Sequence, residues 1–167
     1  PLVYGKTRVS ANMFWYGDFK AIPHTTTTKS GGILGIGKTK TKTTTYTYEA
    51  SLMLGVCENK IKSVERIWVG RVQVLDVIKS GNILKPIDQM GFELFNSELN
   101  SVWGYLQSHH PDDAINYPFL TYIAIPNYNL GDSPSLPNHN FEVISNITFS
   151  DTIHDANPAD VIEDFIK

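Results

Sequence analysis

The sequence has little cysteine, no long apolar run and little net charge. A single cysteine, Cys57, among 167 residues excludes an internal disulfide and a cysteine-rich zinc site. No apolar run approaches the roughly 20 residues of a membrane-spanning helix, so we expect no membrane-spanning segment. The net charge of −3 gives no overall attraction to nucleic acid or anionic lipid. With 41% hydrophobic residues, the chain can still bury the core of one domain.

Alternation of apolar and polar residues predicts that much of the chain is β-strand. Residues 44–57, "TTYTYEASLMLGVC", alternate regularly, and residues 7–16 do so over a shorter stretch. "SVERIWV" and "RVQVLDVI", separated at Gly70, indicate a hairpin. Strand patterns return in "FLTYIAI" and "NFEVISNITF". The predicted fold class is mainly β to α+β, built from antiparallel strands.

Two helices are predicted. The first is a central amphipathic helix at about 97–109, ended by Pro111. The second lies at about 158–167, where Asn157 can cap the helix and Pro158 suits its first turn. The helical spacing of the first rests on Leu99, Val102, Trp103 and Leu106.

The stretch "GILGIGKT", Gly32 to Thr39, fits the phosphate-binding pattern G-x-x-x-x-G-K-[ST]. A working loop must leave a buried strand and enter a helix. Here the preceding run, "HTTTTKSG", is too polar to be a buried strand. The following run, "KTKTTTYTYEASL", is β-branched and alternating, which favours a strand and not a helix. We therefore predict a long hairpin arm at about 24–44. We interpret the motif as a false P-loop, a judgement that covers Gly32, Gly37, Lys38 and Thr39.

The predicted arm is basic. No acidic residue occurs between Asp18 and Glu49, whereas the same stretch contains Lys29, Lys38, Lys40 and Lys42. These lysines could contact DNA or a neighbouring subunit, since each neutralised phosphate adds salt-dependent affinity. They could equally form a solvated loop whose charges guard strand edges against unwanted pairing.

No other cluster of residues indicates catalysis. The cluster at His109, His110, Asp112 and Asp113 is typical of a solvated helix end, because adjacent residues there rarely converge on a metal. Cys57 ends an apolar strand and is predicted to be a small buried hydrophobe. Carboxylates are not paired on one face of any predicted element. We expect no enzyme activity, no catalytic residue, no cofactor and no metal.

Three stretches, in this order, resemble a known family. They are "PLVYGKTRVSANMFWYGDF", "YPFLTYIAIPNYNLGDSPSLPNHNFEV" and "DANPADVIEDFI". Together they are similar to segments of phage and prophage tail-tip proteins, the lambda-type host-specificity or tail hub family. The resemblance covers roughly residues 1–20, 46–69 and 117–167, and it assigns no catalytic residue.

The resemblance implies a structural part of a virion tail, made in the bacterial cytoplasm. Such proteins form a ring, typically a homotrimer, that joins tube, baseplate or fibre components around the DNA path and supports host attachment and DNA delivery. It implies a single β-rich hub domain over residues 1–154, with inserted segments at about 25–42 and 76–115. Residues 155–167 would begin a helix leading into the next part of a longer protein; processed ends of a complete protein are the alternative.

A second hypothesis is a free-standing β-rich module that binds carbohydrate or protein. Such a module would present an aromatic-lined concave patch and bind glycans saturably as a monomer. The sequence supplies six tyrosines that could line it: Tyr46, Tyr48, Tyr105, Tyr117, Tyr122 and Tyr128.

Overall fold

The computed structural model describes residues 1–30, 39–76, 91–96, 100–145 and 155–166. Within these ranges, eight strands form two antiparallel four-stranded sheets, ordered β1-β8-β4-β5 and β2-β3-β7-β6. The mainly β prediction, with a long hairpin and a helix at the C-terminal end, is therefore confirmed. The strands are β1 Lys6–Ser10, β2 Asn12–Ser30, β3 Thr39–Cys57, β4 Ile61–Val69, β5 Val72–Asp76, β6 Glu93–Phe95, β7 Thr121–Gly131 and β8 His139–Ser145.

The hairpin predicted around Gly70 is present as β4 and β5. Gly70 occupies the turn with a φ of 60°, a conformation that glycine adopts without steric cost. Between β1 and β2 the chain passes from one sheet to the other at Ala11, whose N–H donates to the carbonyl oxygen of His139 at 2.9 Å. The predicted strand at 7–16 is thus two strands that belong to different sheets.

The two sheets pack face to face over one apolar core. Leu54 and Val56 of β3 and Ile123 of β7 meet Ile67 of β4 and Phe141 of β8 in this core, and each is at most 1% exposed. Cys57 is buried in the same cluster, as predicted, and its burial raises the pKa of the thiol. Sandwich packing of this kind explains the alternating pattern of the central strands.

A second cluster covers the outer face of the β2-β3-β7-β6 sheet. Met53, Trp103 and Tyr122 are fully buried there. Trp103 donates its indole N–H to Glu93 at 2.9 Å, and the Tyr122 ring stacks on Phe95 at 4.5 Å. The side chains that cover the sheet come from residues 103–117, which we call the central segment and which close the sheet on its outer side.

The central helix is shorter than predicted. Helix α1 is Gly104–His109, and the prediction of a start near residue 97 is wrong. Trp103 has a ψ of 121°, outside the helical range, and the Asn100 side chain donates to the carbonyl oxygens of Tyr117 and Leu120. These bonds hold residues 100–103 outside the helix, because tertiary contacts outweigh the local periodicity. Leu99 lies outside the described residues.

Helix α2, Pro158–Ile166, confirms the second helical prediction. The Asn157 side-chain oxygen accepts from the N–H of Ala159 at 3.0 Å, which is the expected cap. Asp164 accepts from the Tyr4 hydroxyl at 2.9 Å, while Ile162, Phe165 and Ile166 are 60–79% exposed. None of the helices that the structure describes has the length and apolar character needed to cross a bilayer.

Candidate functional site

The outstanding feature of the fold is that β2 and β3 continue beyond the sandwich as a two-stranded arm. The last residue of β7 to pair with β3 is Gly131, opposite Tyr48. From Ile22↔Thr47 to Ser30↔Thr39, nine successive pairs join β2 and β3 alone. Along these pairs, neither strand pairs with a third strand among the described residues. The arm therefore carries two open edges, as a strand-pairing template would.

The arm has two chemically different faces. Residues directly opposite each other share a face, and successive residues alternate between faces. One face is hydroxyl-rich, and there His24 Nε2 lies 2.8 Å from the hydroxyl of Thr47. We call it the threonine face; its exposed members include Thr26, Thr28, Thr41, Thr43 and Thr45.

The opposite face, which we call the lysine–tyrosine face, changes in character along its length. Near the arm's end Lys29 stands directly opposite Lys40, and Lys42 follows two residues further along the same face. The hydroxyls of Thr25 and Thr44 come next, 3.2 Å apart. Tyr46 and Tyr48 complete the face towards the sandwich. Of the lysines predicted as arm contacts, Lys29, Lys40 and Lys42 thus share one face, whereas Lys38 lies outside the described residues.

At its base the lysine–tyrosine face continues into an apolar groove. The Tyr48 ring stacks on Phe19, with centroids 5.8 Å apart and planes 20° apart. The groove has a volume of about 590 Å³. It is the part of the inner sheet face that the second sheet leaves uncovered. The residues lining it are Met13, Tyr16, Phe19, Ala50, Leu52, Leu130, Pro134 and Leu136.

A hydrogen-bonded cluster marks the junction between sandwich and arm. Asp18 lies at an irregularity of β2, between the pairs Gly17↔Ser51 and Lys20↔Glu49, with a φ of 53°. Its carboxylate accepts from the Tyr105 hydroxyl at 2.7 Å and contacts His110 Nε2 at 3.0 Å. These hydrogen bonds, that from Tyr105 foremost, lower the pKa of Asp18.

The junction cluster ties the strand irregularity to helix α1. The hydroxyl of the fully buried Ser51 donates to that of Tyr105 at 3.1 Å and accepts from the N–H of Asn127 at 3.2 Å. Since Tyr105 and His110 belong to the central segment, the cluster fixes where β2 leaves the packed sheet. We interpret it as a structural clamp.

The predicted histidine cluster is divided between different partners. His110 faces Asp18, and His109 Nδ1 lies 3.1 Å from the carbonyl oxygen of Tyr105 one turn earlier. Asp113 accepts from the indole N–H of Trp15 at 3.1 Å. Across the described ranges, no three metal-binding side chains of the His, Cys, Asp or Glu type converge. The absence of a bound metal remains a prediction.

The flanks of the P-loop-like motif are both strands. Ser30 ends β2 and Thr39 begins β3, so the chain after Thr39 does not enter the helix that a nucleotide loop requires. Gly32, Gly37 and Lys38 lie outside the described residues. That the motif binds no nucleotide therefore stays a prediction, although its flanks have the strand structure on which that prediction rests.

Sequence reasoning did not identify the groove or the junction cluster. The six tyrosines expected to line a concave patch are dispersed: Tyr122 is fully buried, Tyr46 lies on the arm and Tyr48 lies at its base. The groove is instead lined in part by Tyr16 and Phe19. The sequence feature that could have indicated the junction is "YGDF", where the alternation of β2 is interrupted at Asp18.

Comparison with known proteins identifies the fold. No protein-family profile matches the chain, and no curated protein matches it significantly. Among solved structures, it is similar to a chain of a structure titled "Virion of native gene transfer agent (GTA) particle", with a TM-score of 0.54 and 19% sequence identity. The similarity covers 87% of the present chain but 26% of the other, so the present chain spans about a quarter of that protein. At this identity the two chains share a fold.

Proposed function

We propose that this protein is a structural, non-catalytic component of a phage-like virion, and more specifically of its tail tip or hub. The observation that carries the proposal is the arm: nine residue pairs with two open edges, projecting from a sandwich whose fold is shared with a chain of a virion particle. The resemblance of three ordered segments to tail-tip proteins supports the narrower assignment.

The physical case for assembly is that the arm is poorly stabilised by its own chain. An isolated two-stranded hairpin is at best marginally stable in water, and three or more strands or a packed face are normally needed. Between Thr25 and Ser30 every residue of β2 is exposed. A neighbouring subunit could add strands to both edges and cover the threonine face, which would supply the missing stabilisation.

The groove offers the same neighbour an apolar contact. Met13, Tyr16 and Phe19, spaced three residues apart along β2, are 45–64% exposed and all line the groove. Apolar surface of this kind contributes about 25 cal/mol per Å² when it is removed from water. In this proposal other tail proteins and further copies of the chain, in a homotrimeric ring around the DNA path, pair with the edges of the arm and contact the groove.

The test is to locate the protein in particles purified from the producing bacterium. Mass spectrometry should detect it in the particles, and immunogold electron microscopy should label the distal end of the tail. Gold on the capsid alone would keep the virion role and overturn the tail-tip assignment. Absence from the particles would overturn both.

The groove is also the surface that the alternative function, a free-standing carbohydrate- or protein-binding module, would use. Tyr16 and Phe19 are exposed ring faces of the kind that sugars use, but most of the remaining lining is aliphatic. A glycan titration followed by tryptophan fluorescence should show no saturable change. Saturable binding by the monomer, abolished by Tyr16→Ala, would favour the alternative.

A further inference from the structure

The lysine–tyrosine face holds positive charge that no acidic residue in the described part of the chain neutralises through an ion pair. Lys29 and Lys40 stand directly opposite each other, and like charges in this position destabilise a strand pair. Lys42 adds a third charge on the same face. None of the three makes an ion pair within the described residues, and no acidic residue lies between Asp18 and Glu49 in the sequence. An arrangement that repels itself in the free chain favours an anionic ligand.

The geometry favours a ligand with several negative charges in a row. Residues two apart on a strand are about 7 Å apart, and opposite residues are about 5 Å apart. The three ammonium groups therefore form a short cluster along the arm, where a phosphodiester backbone can contact all of them.

Aromatic rings on the same face distinguish nucleic acid from an acidic peptide. Tyr46 is 48% exposed, and beyond it Phe19, stacked on Tyr48, is 51% exposed. Tyr46 is four residues from Lys42, or about 13 Å along the strand. Between them the hydroxyls of Thr25 and Thr44 can donate to phosphate oxygens. Lysines that follow a backbone, next to rings on which bases can stack, are how proteins bind single strands without sequence preference.

We propose that the lysine–tyrosine face binds single-stranded nucleic acid. Lys29, Lys40 and Lys42 contact its phosphates, and Tyr46 and Phe19 stack on its bases. This deepens the proposed function, since a protein placed around a DNA path meets DNA. The binding itself can be measured on the chain alone.

The first experiment is a fluorescence anisotropy titration of the 167-residue chain with a labelled 15-nucleotide oligothymidylate. If three phosphates are neutralised, affinity should fall ~20-fold between 50 and 200 mM salt. The triple variant Lys29→Gln/Lys40→Gln/Lys42→Gln should lose at least ~10-fold at 50 mM salt and most of its salt dependence. The matched control Lys20→Gln/Lys60→Gln/Arg71→Gln removes three exposed charges elsewhere and should stay within ~2-fold of the parent.

Equal losses in both triple variants would overturn the proposal, because they would show that only overall charge matters. Weaker binding to oligothymidylate than to polyglutamate of equal charge would also overturn it, in favour of an acidic protein partner. Unchanged melting temperatures of both variants establish that the comparison concerns binding and not folding.

The second experiment tests the rings. Tyr46→Ala should weaken binding ~5-fold or more, whereas Tyr46→Phe keeps a stacking ring and should stay within ~2-fold. A duplex of the same length should bind more weakly than the single strand. Equal binding of the duplex, together with no effect of Tyr46→Ala, would overturn the assignment to single strands.

The two proposals fail in different ways. A chain that is present in particles but does not bind the oligonucleotide would contradict the ligand and leave the virion role intact. A chain that binds the oligonucleotide but is absent from particles would contradict the virion role and leave the ligand assignment intact.

Discussion

Strands β2 and β3 pass through two environments within one continuous hairpin. Near the sandwich, Leu52 and Leu54 of β3 are at most 2% exposed and pack in the protein interior. Further out on the same strand, Thr41 and Thr43 keep the same antiparallel pairing but are exposed to solvent. The inner half of the hairpin, within the sandwich, and the outer half, the arm, thus share the same strand pairing. They differ in whether their side chains are buried.

The comparison separates what stabilises the protein from what is available to partners. Burial of apolar side chains is the dominant favourable contribution to folding, whereas a hydrogen bond that replaces one to water adds little. The inner half therefore holds the fold together. The outer half is kept in shape by β-branched residues and offers its edges and faces to another molecule.

The largest expected effect tests this difference along a single strand. Leu54→Ala should lower the free energy of unfolding by about 2–5 kcal/mol, because it leaves a cavity in the shared core. Thr43→Ala, on the same strand but in the arm, should change it by less than about 0.5 kcal/mol. Urea denaturation measures both. Similar losses at the two positions would show that the arm is packed against something in the free chain.

An intermediate effect is expected at the junction. Asp18→Asn should destabilise the protein by about 1–3 kcal/mol, because the carboxylate accepts charge-assisted hydrogen bonds from Tyr105 and His110. Asparagine tolerates the positive φ of this position, so the backbone need not change. The measurement is the free energy of unfolding at neutral pH. An unchanged value would contradict the interpretation of the junction cluster as a structural clamp.

The same substitution has a pH signature. The pKa of Asp18 is lowered from its ordinary 3.8, so its contribution is present above that value and is lost as pH falls through the folded-state pKa. Below that range the parent and Asp18→Asn should converge in stability. Chemical denaturation at several acidic pH values measures this, and a constant difference down to about pH 2 would contradict it.

The smallest effect is expected from removing the arm. Deleting residues 25–44 and joining His24 to Thr45 through an Asn-Gly turn closes the hairpin at an existing cross-strand pair. The unfolding free energy should change by less than about 1 kcal/mol, because the deleted residues that the structure describes contribute no core side chain. Thermal denaturation provides the measurement. A large loss would show that the arm supports the sandwich.

The elements that could be predicted from the sequence are those whose structure is determined by residues close to one another in the chain. The alternation of 44–57 and the cap at Asn157 depend on local spacing, and both are present in the fold. The flanks of the P-loop-like motif were correctly interpreted as strands for the same reason, because β-branched residues prefer an extended backbone.

What could not be predicted depends on residues far apart in the chain. Helix α1 begins late because Asn100 bonds to carbonyl groups 17 and 20 residues away, and periodicity carries no information on such bonds. Asp18 meets His110 across 92 residues. The division of the arm into two faces required the register of β2 against β3, which a one-residue shift would have reversed.

The most direct test of the account is hydrogen exchange of the arm in the free chain and in the assembled particle. In the free chain, amides of residues 25–30 and 39–44 should exchange much faster than those of Leu52 to Val56, because open strand pairs are only weakly protected. In particles the arm should become protected while the sandwich amides stay unchanged. An arm that exchanges equally fast in both states would contradict its role as the assembly surface.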